Sequence, residues 1–185
     1  MKNKKAFGVM VALLMFLSLP CNVSAGIQTG GFATGKLSYR VECDTNFASL
    51  ATVRGYVQRW NNISSNVALT YTTSYTSSQI AVIYMKYDGP DSNTIGETSY
   101  YLNGNRVSNA VTRTGAVCSV YRNEHTLQNT SEAKAVAYAS CVHEVGHALS
   151  LSHSSKPDDV MYTPNRTVTM PTSSDKSFLK SKWGN

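Results

Sequence analysis

His143-Glu144-Val145-Gly146-His147-Ala148-Leu149-Ser150-Leu151-Ser152-His153 is the stretch that decides how the rest of the chain is read. On a helix, His143 and His147 are four residues apart and project from one face, with Glu144 beside them. That is the layout of a catalytic zinc site. Zinc prefers four tetrahedral ligands, and a hydrolytic zinc keeps one position open for water, so one more protein ligand is required. His153 can supply it only if the helix stops near Ser150 and the chain turns back sharply. A surface helix with incidental histidines is the plainer reading, but three of the chain's four histidines fall within these eleven residues.

Working outward, Asn129 with Glu132 resembles a capping box, and the alanine-rich run after it predicts a helix reaching Leu149. No glutamate follows Glu144, which excludes a distant glutamate as third ligand; Asp158 or Asp159 remains as an alternative to His153. Three cysteines follow the opening segment: Cys43, Cys118 and Cys141. The expected disulfide joins Cys118 to Cys141, which lies about 200° around the helix from His143 and so points away from the metal.

The remaining sequence alternates strand and helix patterns. Residues 36–42 carry apolar Leu37, Tyr39 and Val41 at period two, predicting a strand. Phe47, Leu50, Val53, Val57 and Trp60 recur at helical spacing behind Asp44 or Thr45 as N-cap. Residues 67–75, 79–87 and 116–121 read as strands, while 95–102 and 106–113 flank Asn103-Gly104, a strong hairpin signal. Asp88 and Asp91 are candidates for calcium, although a solvated turn accounts for them equally well. His125 stands alone in a polar loop. A last helix is expected over 174–183, opened by Asp175.

The chain opens with Met1-Lys2-Asn3-Lys4-Lys5, continues uncharged over residues 6–19, and reaches Val23-Ser24-Ala25. This predicts a secretory signal peptide over 1–25, cleaved after Ala25, and a secreted, extracellular product. The apolar run is short for a membrane span, so no stable anchor is expected. Residues 26–185 suit one domain, with 26–35 a flexible leader rich in glycine and threonine. That leader holds no Asp, Glu, His or Cys and therefore cannot plug a zinc site. Losing Lys2, Lys4 and Lys5 lowers the net charge from +6 to +3. No basic cluster interleaved with aromatics points to nucleic acid, and a monomer acting on a peptide or protein is expected.

His143-Glu144-x-x-His147 with His153, followed by Met161 eight residues later, resembles the metzincin zinc peptidases and, within them, the matrixin-like branch typified by matrix metalloproteinase catalytic domains. Leu37-Ser38-Tyr39-Arg40, Trp60-Asn61-Asn62 and residues 178–184 are similar to that family's first strand, first helix end and closing helix. The resemblance implies an α/β (α+β) fold of the zincin/metzincin type: a twisted, mostly parallel sheet with an N-terminal helix, an active-site helix and a C-terminal helix. It implies a structural turn containing Met161 beneath the zinc, and makes Tyr162 a candidate for shaping the substrate pocket.

The same resemblance implies a zinc-dependent endopeptidase in which Glu144 activates a zinc-bound water. Ile95, Gly96, Glu97 and Thr98 form the candidate edge along which an extended substrate adds a strand. The rival reading is a secreted metal-binding or adhesive module without catalysis, which has no need of Glu144. Two family features are absent from the sequence, the histidines of a second zinc and a cysteine-bearing propeptide. A third is altered: Ser150 stands where the family usually has glycine, at a left-handed turn that costs a residue with a Cβ about 1–2 kcal/mol.

Overall fold

Strand and helix periodicities become, in the computed structural model, a mixed sheet with helices packed against it; residues 26–126, 128–163 and 167–185 are described. Residues 1–25, where the sequence predicts a signal peptide, lie outside them. In chain order the elements are β1 (Gly35–Cys43), α1 (Leu50–Val57) running into a 3-10 turn (Gln58–Trp60), β2 (Val67–Tyr71), β3 (Ile80–Asp88), β4 (Gly96–Leu102), β5 (Asn105–Val107), β6 (Gly115–Arg122), α2 (Ser131–Ala148) and α3 (Ser173–Trp183). The strand order is β2-β1-β3-β6-β4-β5. β1, β2, β3 and β6 are mutually parallel, whereas β4 runs antiparallel to both β6 and β5. The architecture is the expected α/β one.

Two close contacts lock the metal-site helix onto this frame. Trp60, fully buried, donates its indole N–H to the Val142 carbonyl at 2.9 Å. Tyr138 stacks on Tyr56 with ring centroids 4.2 Å apart, tying α2 to α1. The Asn103-Gly104 hairpin forms as expected, with φ of 51° and 84° at the two turn residues.

Several local expectations are corrected. α1 starts at Leu50 rather than Phe47, because the Asp44 carboxylate accepts from the Asn46 N–H to close an earlier turn and Ser49 becomes the cap by accepting from the Thr52 N–H. Thr130, not Asn129, caps α2 by accepting from the Ala133 N–H, and the Asn129 amide reaches across to the Asn46 carbonyl instead. The strand expected over 106–113 stops at Val107, after which the chain turns to meet the segment at 26–31. That segment is no free leader. Ile27 pairs with Leu151, Gly31 pairs with Thr112, and Gln28, Gly30, Gly31 and Phe32 are buried.

The expected Cys118–Cys141 disulfide does not form; both thiols are free and buried. Cys118 sits against the Glu144 carbonyl, Sγ to O 3.4 Å, about one helical turn beyond Cys141. Burial pushes the Cys118 thiol well above its ordinary pKa and the Cys141 thiol up to about 12, so both act as small protonated core residues.

The reversal that the third histidine requires is a Schellman turn. α2 ends at Ala148; the Ser150 N–H then bonds to the His147 carbonyl at 2.9 Å and the Leu151 N–H to the Gly146 carbonyl at 3.0 Å. Ser150 sits in the left-handed region at φ 71°, fully buried, its hydroxyl without a hydrogen-bond partner and directed at Gly31. Replacing it by glycine relieves both the left-handed strain and the buried hydroxyl, against the greater chain entropy of glycine. Ser150→Gly is expected to stabilise the protein by about 1 kcal/mol, read as a higher denaturant midpoint at unchanged slope.

Candidate metal centre

Helix α2 and the turn that ends it bring three imidazoles to one point. The ligand atoms of His143, His147 and His153 lie within 4.8 Å of one another, and the Nε2 atoms of His147 and His153 are 3.1 Å apart. Around a tetrahedral ion with nitrogens at about 2.0–2.1 Å, ligand nitrogens stand about 3.3 Å apart, so this pair fits zinc. The remaining ring nitrogens are occupied in the way metal ligands need. His143 Nδ1 donates to the Val160 carbonyl at 2.7 Å and His147 Nδ1 to the Leu151 carbonyl at 2.8 Å, which leaves each Nε2 lone pair free.

Electrostatics favour the same role. Burial lowers the pKa of His143 to about 4, and burial with the neighbouring His143 lowers that of His147 well below its ordinary value. Burial lowers the half-buried His153 as well. All three rings are therefore neutral near pH 7, the form that binds metal. Among the described residues no other three His, Cys, Asp or Glu side chains converge in this way.

Glu144 is 5% exposed, and burial raises its pKa to about 8. Its Oε2 accepts from the Thr98 hydroxyl at 2.8 Å, which works in the opposite direction, while the nearby Glu97 adds to the rise. Gly96 makes room for this carboxylate: a Cβ there would meet Glu144 Oε1 at 2.7 Å and Ser140 Oγ at 2.3 Å. Glycine at 96 thus lets β4 approach the helix.

Met161 is buried beneath α2. A Cβ on Gly146, between the two helical histidines, would meet Met161 Sδ at 2.4 Å and Trp60 Cζ2 at 2.8 Å. The turn carrying Met161 hangs on Asp175, whose carboxylate accepts from the Val160 and Met161 N–H groups at 2.9 and 3.3 Å. The sequence had suggested only a helix-opening role for Asp175; it also forms a capping box with Thr172. Neither aspartate proposed as an alternative ligand joins the cluster. Asp158 is exposed, and buried Asp159 accepts from the Ser154 and Thr172 hydroxyls.

A cleft of about 550 Å³ runs past the imidazoles, lined by Gly96, Glu97, Thr98, Glu144, His147 and His153 among others. β5 covers β4 only from Tyr100 to Leu102, so the outer edge of Gly96–Ser99 is unpaired beside the cleft. Glu97 forms an ion pair with Arg106 at the rim. Ile95 does not line the cleft and spends its carbonyl on the Tyr121 N–H at 2.8 Å; Tyr162 also lies outside the lining, in a bridge to Ser154. Asp91, the calcium candidate, accepts from the Asn93 and Thr94 N–H groups and so closes its own loop. Gln28, Tyr100 and Arg113 carried no sequence signal, yet they cluster at the cleft's inner end.

Comparison with known proteins places this geometry in a family. The sequence model of the family described as Matrixin matches residues 31–177, so the chain belongs to the matrixin family of zinc-dependent metallopeptidases. A solved structure titled "Structure of myroilysin" superposes with a TM-score of 0.54 at 15% identity, covering 88% of this chain and 99% of that one. That likeness concerns the fold. No match is found among the curated proteins.

The buried groups make the metal-free protein sensitive to pH. Glu144, raised from 4.5 to about 8 by folding, contributes stability at low pH that is lost as pH rises through 8. The histidines, lowered from 6.5, contribute stability that is lost as pH falls below that value. Between pH 6.5 and 8 a loss of about 1.5 kcal/mol at Glu144 is largely offset by a gain of about 1 kcal/mol from the three histidines, so chelator-treated protein is expected to lose only about 0.5 kcal/mol over that window. Zinc favours ionised Glu144 and should shrink the loss, which paired denaturant titrations at the two pH values would measure.

Proposed function

We propose that this matrixin is a secreted zinc-dependent endopeptidase whose catalytic base is Glu144. The observation that carries the reading is a buried carboxylate beside three converging neutral imidazoles, at the floor of a cleft with an unpaired strand edge. Secretion rests on the lysine-rich start, the uncharged run and Val23-Ser24-Ala25. No described helix is long and apolar enough to cross a membrane.

His143, His147 and His153 would hold the zinc. When bound, it supplies Lewis acidity that acidifies a water and polarises the scissile carbonyl. The chain's own residues do the rest. An extended peptide adds to β4 along Gly96–Ser99, its backbone pairing with the free N–H and C=O groups of that edge, which places one peptide bond over Glu144. Glu144 then takes a proton from the attacking water and delivers it to the departing amine. The positive charge of a bound zinc would keep Glu144 ionised, the form that accepts the proton, and the Thr98 hydroxyl at 2.8 Å fixes the carboxylate's orientation.

The rival, a metal-binding or adhesive module, leaves Glu144 unexplained. Burying a carboxylate without a cationic partner is costly, and a module that only holds metal gains nothing from it. Glu144→Gln is therefore expected to lower peptide hydrolysis by at least about 10²–10⁴-fold while zinc stays bound at one per chain. His153→Ala should lose both zinc and activity. Zinc analysis of the secreted variants, with a peptide-library digest, tests the proposal; full hydrolysis by a zinc-loaded Glu144→Gln protein would refute it.

A further inference from the structure

The segment 26–31 lies almost wholly before the residues that match the family, yet it is bonded to the turn that precedes His153 and to the chain at Asn109 and Arg113. Its backbone borders the turn on both sides of Leu151: the Gln28 N–H bonds to the Ser150 carbonyl at 2.8 Å, and the Gly26 carbonyl accepts from the Ser152 N–H at 2.9 Å. These are the residues between the end of α2 and His153. On the other flank, the Gly30 N–H bonds to the Asn109 carbonyl at 3.1 Å and the Gly31 carbonyl accepts from the Arg113 N–H at 2.9 Å. Lys182 of α3 donates its ammonium to the Gln28 and Gly30 carbonyls at 3.1 and 3.0 Å.

Gln28 is the centre of this arrangement. It is 6% exposed, and its side-chain amide donates to the Leu151 carbonyl at 3.0 Å and to the Tyr100 hydroxyl at 2.9 Å. The Leu151 carbonyl is the same one that receives the His147 Nδ1 proton. The Gln28 side-chain oxygen accepts from Arg113 at 2.8 Å. Arg113 is 2% exposed, lies 3.9 Å from the Tyr100 ring centroid, and has no carboxylate partner among the described residues. Its other terminal nitrogen points at the His147 carbonyl, 3.4 Å away, at the negative end of α2.

We infer that residues 26–31 are a working part of the metal centre, with Gln28 as a positioning residue that holds the Leu151 carbonyl against His147 and sets the loop carrying His153. The inference rests on the zinc reading above. Only a side chain that both donates and accepts serves all these partners: the donor end fixes the carbonyl behind His147, and the acceptor end satisfies buried Arg113. Cleft geometry and metal affinity therefore depend on the first residues of the described chain, and trimming through Gln28 disables the site without touching a ligand.

The test is zinc affinity of the secreted protein by competition with a chromophoric chelator, with folding stability measured on the same samples after metal removal. Gln28→Met, which keeps the volume and loses every polar contact, should weaken zinc binding about 10–100-fold. Gln28→Glu restores an acceptor for Arg113 but not the donor to Leu151. It should recover stability while zinc binding stays weakened, a separation that a purely structural role would not produce. Thr34→Ala, at an exposed position outside the segment, should bind zinc like the wild type. Should the Gln28 variants fail to fold, hydrogen exchange on the wild type carries the test: zinc should slow exchange at the Gln28 and Ser152 amides at least tenfold. Zinc affinities within twofold of wild type in folded Gln28 variants, or exchange at those amides unchanged by zinc, overturn the inference. A wild-type protein that binds no zinc would instead overturn the metal reading itself.

Discussion

One reversal of the backbone governs this molecule. A helix can present two ligands four residues apart by itself, but a third ligand six residues further on reaches the same point only if the helix ends at once and the chain doubles back. The Schellman turn at residues 149–151 does this, with Ser150 left-handed at φ 71° and two hydrogen bonds returning to Gly146 and His147. The surroundings are fitted to that turn. Gly31 leaves space for the Ser150 hydroxyl, the Trp183 indole bonds to the Leu149 carbonyl at 2.9 Å, and Gln28 bonds to the carbonyls on either side of the Ser150–Leu151 link.

Burial gives the converged side chains their chemistry. The imidazoles are driven to the neutral form, and the outer nitrogens of His143 and His147 are spent on the Val160 and Leu151 carbonyls, so their inner lone pairs face the same point. That arrangement is unfavourable until a cation enters. Glu144 follows the same logic with opposite sign, since desolvation holds its proton until a positive charge arrives nearby. Two glycines make the packing possible. Gly96 lets the strand approach Glu144, and Gly146 lets Met161 and Trp60 support the helix from below.

The clustered histidines, the glutamate beside them and the sheet were legible because each leaves a local, periodic mark: four-residue spacing, alternation, and Asn-Gly at a hairpin. The elements that position them were not. Gln28 sits in a glycine- and threonine-rich stretch that reads as flexible, and only its partners 72 and 123 residues away in sequence give it order. Asp175 looked like a helix cap because the capping box is local, while its hold on the Val160–Met161 backbone is not. The Cys118–Cys141 pairing failed for a related reason. Helix phase places Cys141 away from the metal, but the height of Cys118 against the helix is set by the sheet, and it falls at Glu144.

The central claim is that the turn delivers His153 to the same ion as His143 and His147. X-ray absorption at the zinc edge, on zinc-loaded wild type and on His153→Ala, tests it most directly. Three imidazole nitrogens at about 2.0–2.1 Å plus one light atom are predicted for the wild type, with one imidazole fewer in whatever zinc the variant retains. A wild-type spectrum with two imidazoles, with sulfur at about 2.3 Å, or unchanged by loss of His153 would contradict the account.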